Sequence, residues 1–192
     1  MRIARPSKGP PEDSIALRLI AAAAVEVAIL AVVAQGAVDV LTAAAALTLA
    51  PLGYWFSYRQ RHRSAVATKV VLAVGLMVAF TAFLQQMKGA TTVDEVRLPL
   101  ASLFLWVQVL HAFDVPRRRD LAFSAVSSVI LMAEAGSLSF DAGFLLFVVP
   151  WAALTGAWLF LSGRPLPGST ARIVEERRSF VRPRRTAAPA RG

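Results

Sequence analysis

Trp106–Asp120 reads WVQVLHAFDVPRRRD. Gln108, His111 and Asp114 interrupt an apolar run that ends at Pro116 and three arginines. The stretch is either a chemical site or the point where a membrane helix meets an aqueous, basic face. The chain on either side decides between these. Hydrophobic residues make up 56% of the 192 residues and charged residues 17%, and the charges fall in blocks between long apolar runs. Runs of roughly 18 or more apolar residues are what a bilayer core about 30 Å thick demands.

Working outward gives six candidate spans: Ser14–Ala34, Val38–Ser57, Ala65–Gln85, Leu98–Val115, Leu121–Leu138 and Ala142–Ser162. In lipid every backbone amide and carbonyl needs an internal partner, so the spans are expected to be helices. A closed barrel needs alternating polarity, which LTAAAALTLA and SVILMA lack. The expected fold is therefore all-α, a polytopic membrane protein. Its spans occupy residues 14–162, between a disordered basic leader (1–13) and a disordered basic tail (163–192). Arginine, proline and small residues at both ends bury too little apolar area to offset ordering entropy. The tail can rest on anionic lipid, with about 1 kcal/mol from each basic residue.

Orientation follows from the basic residues. With the N-terminus inside, every Lys and Arg except Lys88 and Arg97 falls at an inside segment. Arg59, Arg61 and Arg63 mark one inside connection and Arg117, Arg118 and Arg119 the next, while Asp39, Asp94, Glu95 and Asp141 fall outside. This predicts N-in and C-in, with the inside segments cytoplasmic. Tyr54, Trp55 and Tyr58 before Arg59, and Trp158 before Arg164, suit headgroup depth. The formal charge of +9 is thereby assigned to topology rather than to nucleic acid. Pro51 and Pro150 lie inside spans, where neighbouring helices can satisfy the freed carbonyls. The first span resembles a signal peptide in its basic approach and Val32-Val33-Ala34 ending, but its length and Glu26 favour a retained helix. No internal repeat supports inverted-repeat transporter architecture.

Ionisable residues within spans are functional candidates. Glu26 falls near mid-membrane and must be neutral, hydrogen-bonded to another helix or wet. Arg18, one turn inside the first span, is expected to snorkel to the headgroups. Gln108, His111 and Asp114, three apart, share one face of the fourth helix, and His111 and Asp114 can pair locally. Such a pair can move protons or hold a metal, but His62, the other histidine, sits in a basic loop that repels cations. Glu134 lies about 21 Å along the fifth helix from Asp120, opposite Ser102 rather than His111. Ser124, Ser127 and Ser128 are the better partners at the depth of His111. Small-residue pairs Gly75/Ala79 and Ala152/Gly156 permit close helix approach. With no cysteine, disulfides, thiolate metal sites and a cysteine nucleophile are excluded. Walker, GxSxG, HExxH and Rossmann glycine signatures are absent. No catalytic set, metal site or cofactor is expected.

Leu105–Trp151 resembles the N-terminal multi-helix membrane domain of bacterial transglutaminase-like proteins of the TgpA type. The resemblance rests on Q-V-L-H-x-F-D, the R-R-R-D turn, the serine-containing fifth span and the SLSFD loop before the sixth. It covers about half the chain; Met1 to Val93 match only in pattern. It implies a membrane region that, in the family, precedes an extracytoplasmic domain with a Cys-His-Asp triad and a further membrane helix. Here no cysteine exists to act as nucleophile, and the chain ends at Gly192, shortly after the sixth span. The expectation is a module without that catalytic domain, stand-alone, truncated or working with a separately encoded transglutaminase-like partner. Two functions follow. The first is a non-enzymatic scaffold that holds partner proteins, itself able to oligomerise. The second is a small transporter or channel with Glu26, His111 and Glu134 along a polar path, and an intramembrane enzyme ranks third.

Overall fold

A computed structural model describes residues 12–62 and 66–163. Arg63 and most of the basic leader and tail lie outside the described residues. Within them the chain forms six α-helices and no strand: α1 (Ile15–Ala34), α2 (Val40–Gln60), α3 (Val66–Gln86), α4 (Val93–Ala112), α5 (Arg118–Leu138) and α6 (Leu145–Ser162). A 3-10 turn, Ala142–Phe144, leads into α6. Five of these helical segments are long and apolar enough to cross a membrane. The exception is α4, whose first turns carry Asp94, Glu95 and Arg97 and whose last carries Gln108 and His111.

Helix starts are set by side chains that take up free backbone N–H groups. Ser14 accepts from Leu17 N at 3.3 Å, opening α1. Asp39 accepts from Leu41 N and Thr42 N at 3.0 Å each, opening α2. Glu95 accepts from Thr91 N at 2.6 Å and Thr92 N at 3.4 Å, which places the start of α4 five residues before the expected Leu98. Asp120 accepts from Arg117 N at 3.1 Å, so α5 begins at Arg118 and not at Leu121.

The first helix is the hub. It packs against α2, α5 and α6, while α4 packs against α2, α3 and α5. Val25, Ala28, Ile29, Ala31 and Val32 of α1 are fully buried. Residues of α6 alternate in the same helical rhythm: Trp151, Leu154, Thr155 and Trp158 turn inward, and Leu146, Val149, Leu159 and Phe160 outward. No residue of α3 is fully buried, and its half-covered positions Thr68, Leu72, Gly75, Ala79 and Phe83 form one stripe. Gly75 is part of that contact, since a Cβ there would stand 3.0 Å from Leu110 Cδ2 on α4. The expected Ala152/Gly156 contact is not formed. Both residues face outward, and a Cβ on Gly156 would meet nothing within 4 Å. A closer approach is made at Gly53 of α2, where a Cβ would stand 2.9 Å from Ala112 Cβ and Phe113 Cδ2.

Candidate functional site

The residues singled out in the sequence do not form one site. They separate into a buried polar lock between helices, a clamp at one end of the bundle, and a pair near the other end.

The lock centres on Gln108, which is 1% exposed. Its Nε2 donates to Tyr54 Oη of α2 at 3.5 Å, and its Oε1 accepts a short hydrogen bond from Ser127 Oγ of α5. One α4 side chain thus ties α2 to α5 through both ends of its amide. The expectation that serines of α5 partner α4 holds for Ser127. Ser124 is buried beside Tyr54, and Ser128 accepts from Trp151 Nε1 of α6 at 3.0 Å. Glu26 of α1 lies within electrostatic reach of Tyr54. Among the described residues its Oε1 is buried without a hydrogen-bond partner, as are Thr155 Oγ1 and Trp158 Nε1 of α6.

The clamp is the Phe113–Arg117 turn itself, at the end of the bundle where the described chain begins. α4 ends at Ala112, three residues before the expected Val115. Val115 precedes a proline, which disfavours the helical conformation, and its N–H goes to Ser57 Oγ of α2 at 2.8 Å. Its carbonyl accepts from Arg18 Nη1 at 2.7 Å. Arg18 is 4% exposed, so it is built into the bundle and does not snorkel as expected. Glu12 N donates to Pro116 O at 3.0 Å, and Arg118 Nη2 donates to Leu161 O at the end of α6 at 3.1 Å. Arg61 donates through Nε to Asp13 Oδ1 at 2.7 Å while its guanidinium lies 4.1 Å from the Tyr58 ring centroid. That hydrogen bond holds the Asp13 carboxyl below the ordinary aspartate value. Arg59 stacks over Trp55 at 4.1 Å, and Arg119 points outward.

The expected His111–Asp114 pair is absent. His111 Nε2 faces the Asp120 carbonyl at 3.2 Å, where a donated N–H suits it, and the ring meets Phe123 edge-on at 4.7 Å. Asp114 turns to Lys69 Nζ of α3 at 3.6 Å. The physical reason is that α4 stops at Ala112, so the three-residue helical spacing no longer puts the two side chains on one face. At the opposite end Glu134 lies within electrostatic reach of Arg97 of α4. Among the described residues no group of three His, Asp or Glu side chains is placed to hold a metal.

A cavity of about 670 Å³ opens between α2, α3 and α4. Its lining includes Asp39, Thr42, Gly75, Ala79, Ser102 and Leu103, and does not include Glu26, His111 or Glu134. Signals for the clamp were present in the sequence as Arg18 and Ser57, but nothing in their spacing shows that they meet the same residue. The comparisons add no assignment: no protein family, curated protein or solved structure matches the chain.

Proposed function

We propose that this chain is a six-span bacterial inner-membrane protein, N-in and C-in, acting as a non-enzymatic scaffold for partner proteins. The observation that carries this reading is how Gln108 is used: its amide joins α2, α4 and α5. Polar side chains inside hydrocarbon are kept where they fix helix contacts or do chemistry. Here Gln108 and Trp151 are committed to other helices and Arg18 to the turn after α4, which supports fixing. The resemblance of Leu105–Trp151 suggests the partner, a separately encoded transglutaminase-like protein. Affinity isolation from native membranes tests it. Repeated recovery of one such protein supports the scaffold, and repeated recovery of none counts against it.

A second reading, a small transporter, draws on the buried and unpartnered Glu26 Oε1. Such a carboxyl can carry a proton. Flux in proteoliposomes that is indifferent to Glu26→Gln and Glu134→Gln would remove this reading.

A further inference from the structure

The cavity between α2, α3 and α4 has a shape and a polarity of its own. Helices α2 and α3 are consecutive, yet α3 leans on α4, leaving a gap over the α4 surface. Small residues widen the α3 wall: Gly75, Ala79 and Ala82 all line it. At Gly75 the α3 backbone stands against Leu110 of α4, where an added Cβ would lie 3.0 Å from Cδ2. On that side the walls are apolar, with Val78, Leu103, Trp106 and Leu110. Toward the other end the lining turns polar, with Asp39 and Thr42 at the start of α2 and Gln86 at the end of α3.

Charge at this lip is one-sided. Asp39 is exposed and accepts from Thr42 Oγ1 at 2.6 Å and from two backbone N–H groups. No Lys or Arg is among the lining residues. Pockets that bind small molecules combine mostly apolar walls with a few polar groups that fix orientation. A phosphate or carboxylate head at Asp39 would meet a carboxylate, and the described lining supplies no Lys or Arg to offset it, which like-charge repulsion penalises.

We infer that this groove is a binding site for a single long-chain amphiphile, its tail lying between α3 and α4 and its uncharged polar head at Asp39, Thr42 and Gln86. The inference rests on the reading of α2, α3 and α4 as membrane-embedded. A tail enters sideways from the bilayer and replaces lipid that would otherwise pack loosely against Ala79 and Leu103. The Asp39 carboxylate and Gln86 amide then select head groups that donate hydrogen bonds.

Two photoreactive probes with the same diazirine-bearing tail test this on the full chain in liposomes: a monoacylglycerol and a fatty acid. The monoacylglycerol is expected to label α3 and α4 peptides about tenfold more than the fatty acid does. Asp39→Asn should narrow that difference. Ala79→Phe, or Ser102→Phe from the facing wall if the former does not fold, should abolish the labelling. Equal labelling by both probes, or label spread equally over the outward residues Leu146 and Val149 of α6, would overturn the site. Crosslinking to a second copy through α3 in place of the probe would also overturn it. Extraction by alkaline carbonate reports separately on the membrane reading. A chain that washes off loses both, and an integrated chain without selective labelling loses the groove alone.

Discussion

Gln108 and Arg18 are single side chains that each hold several elements in register. Removing one partner of a buried hydrogen bond strands the other, at about 1–3 kcal/mol. Gln108→Leu is therefore expected to lower the unfolding free energy in detergent by about that amount. A cycle pairing it with Ser127→Ala should show coupling on the order of 0.6–1.7 kcal/mol, the range for polar contacts between membrane helices. Additive effects would mean that the amide does not join α4 to α5. Arg18→Leu is expected to cost on the order of 1.5–3 kcal/mol, because its bond to Val115 O involves a charged donor. Asp13 gives a pH dependence of known sign. Its folded pKa is below the ordinary 3.8, so its contribution is present above that value and is lost as pH falls through the lower folded value. Protection of the residue 12–14 amides, measured relative to their intrinsic exchange at each pH, should fall on acidification into that range, and Asp13→Asn should show the lower protection already at neutral pH.

At the scale of helices, two glycines make opposite predictions. Gly53→Ala forces a methyl to within 2.9 Å of Ala112 Cβ and Phe113 Cδ2, and overpacking of this kind costs about 1–3 kcal/mol. Gly156→Ala meets open space and should be neutral or stabilising by up to about 1 kcal/mol through helix propensity. Thermal unfolding of the two variants side by side checks both. The same contrast shows what the sequence conveys. Five of the helices are legible because apolar runs of sufficient length mark them, and α4 because the apolar run from Leu98 onward covers most of it. Their ends are not, because caps and prolines set them rather than hydropathy: α4 stops at Ala112 within the apolar run, while α5 begins among charged residues at Arg118. Glu95 and Asp120 lie inside α4 and α5 and cap them by reaching back to N–H groups. Serine partners on α5 follow from depth alone, so Ser127 was within reach of sequence reasoning. The meeting of Ser57, Arg18 and Val115 depends on how three separate elements are rotated against one another, which no local pattern records. Gly53 likewise looks no different from Gly156 until the neighbour across it is known.

For the whole molecule, the basic turn that opened the reading is where the bundle is closed. The Phe113–Arg117 turn receives α2 through Ser57 and α1 through Arg18, while Arg118 just beyond it reaches the end of α6. The arginines that the positive-inside pattern uses for orientation thus also build contacts, Arg61 to Asp13 and Arg118 to Leu161. Exposed surface pairs such as Lys69–Asp114 contribute little, so α3 depends mainly on its half-covered stripe from Thr68 to Phe83 against α4. That makes α3 the element expected to exchange fastest among the six. The proposed topology has all six helices crossing, α4 included, with both ends of the chain on the same side. The absence of native cysteine makes each introduced thiol unique. Single variants His62→Cys, Lys88→Cys, Arg119→Cys and Ser139→Cys, treated in right-side-out vesicles with a membrane-impermeant maleimide, test it directly. Six crossings predict labelling at 88 and 139, with 62 and 119 protected until the vesicles are opened. Equal labelling at 88 and 119 would show that α4 does not cross and would contradict it.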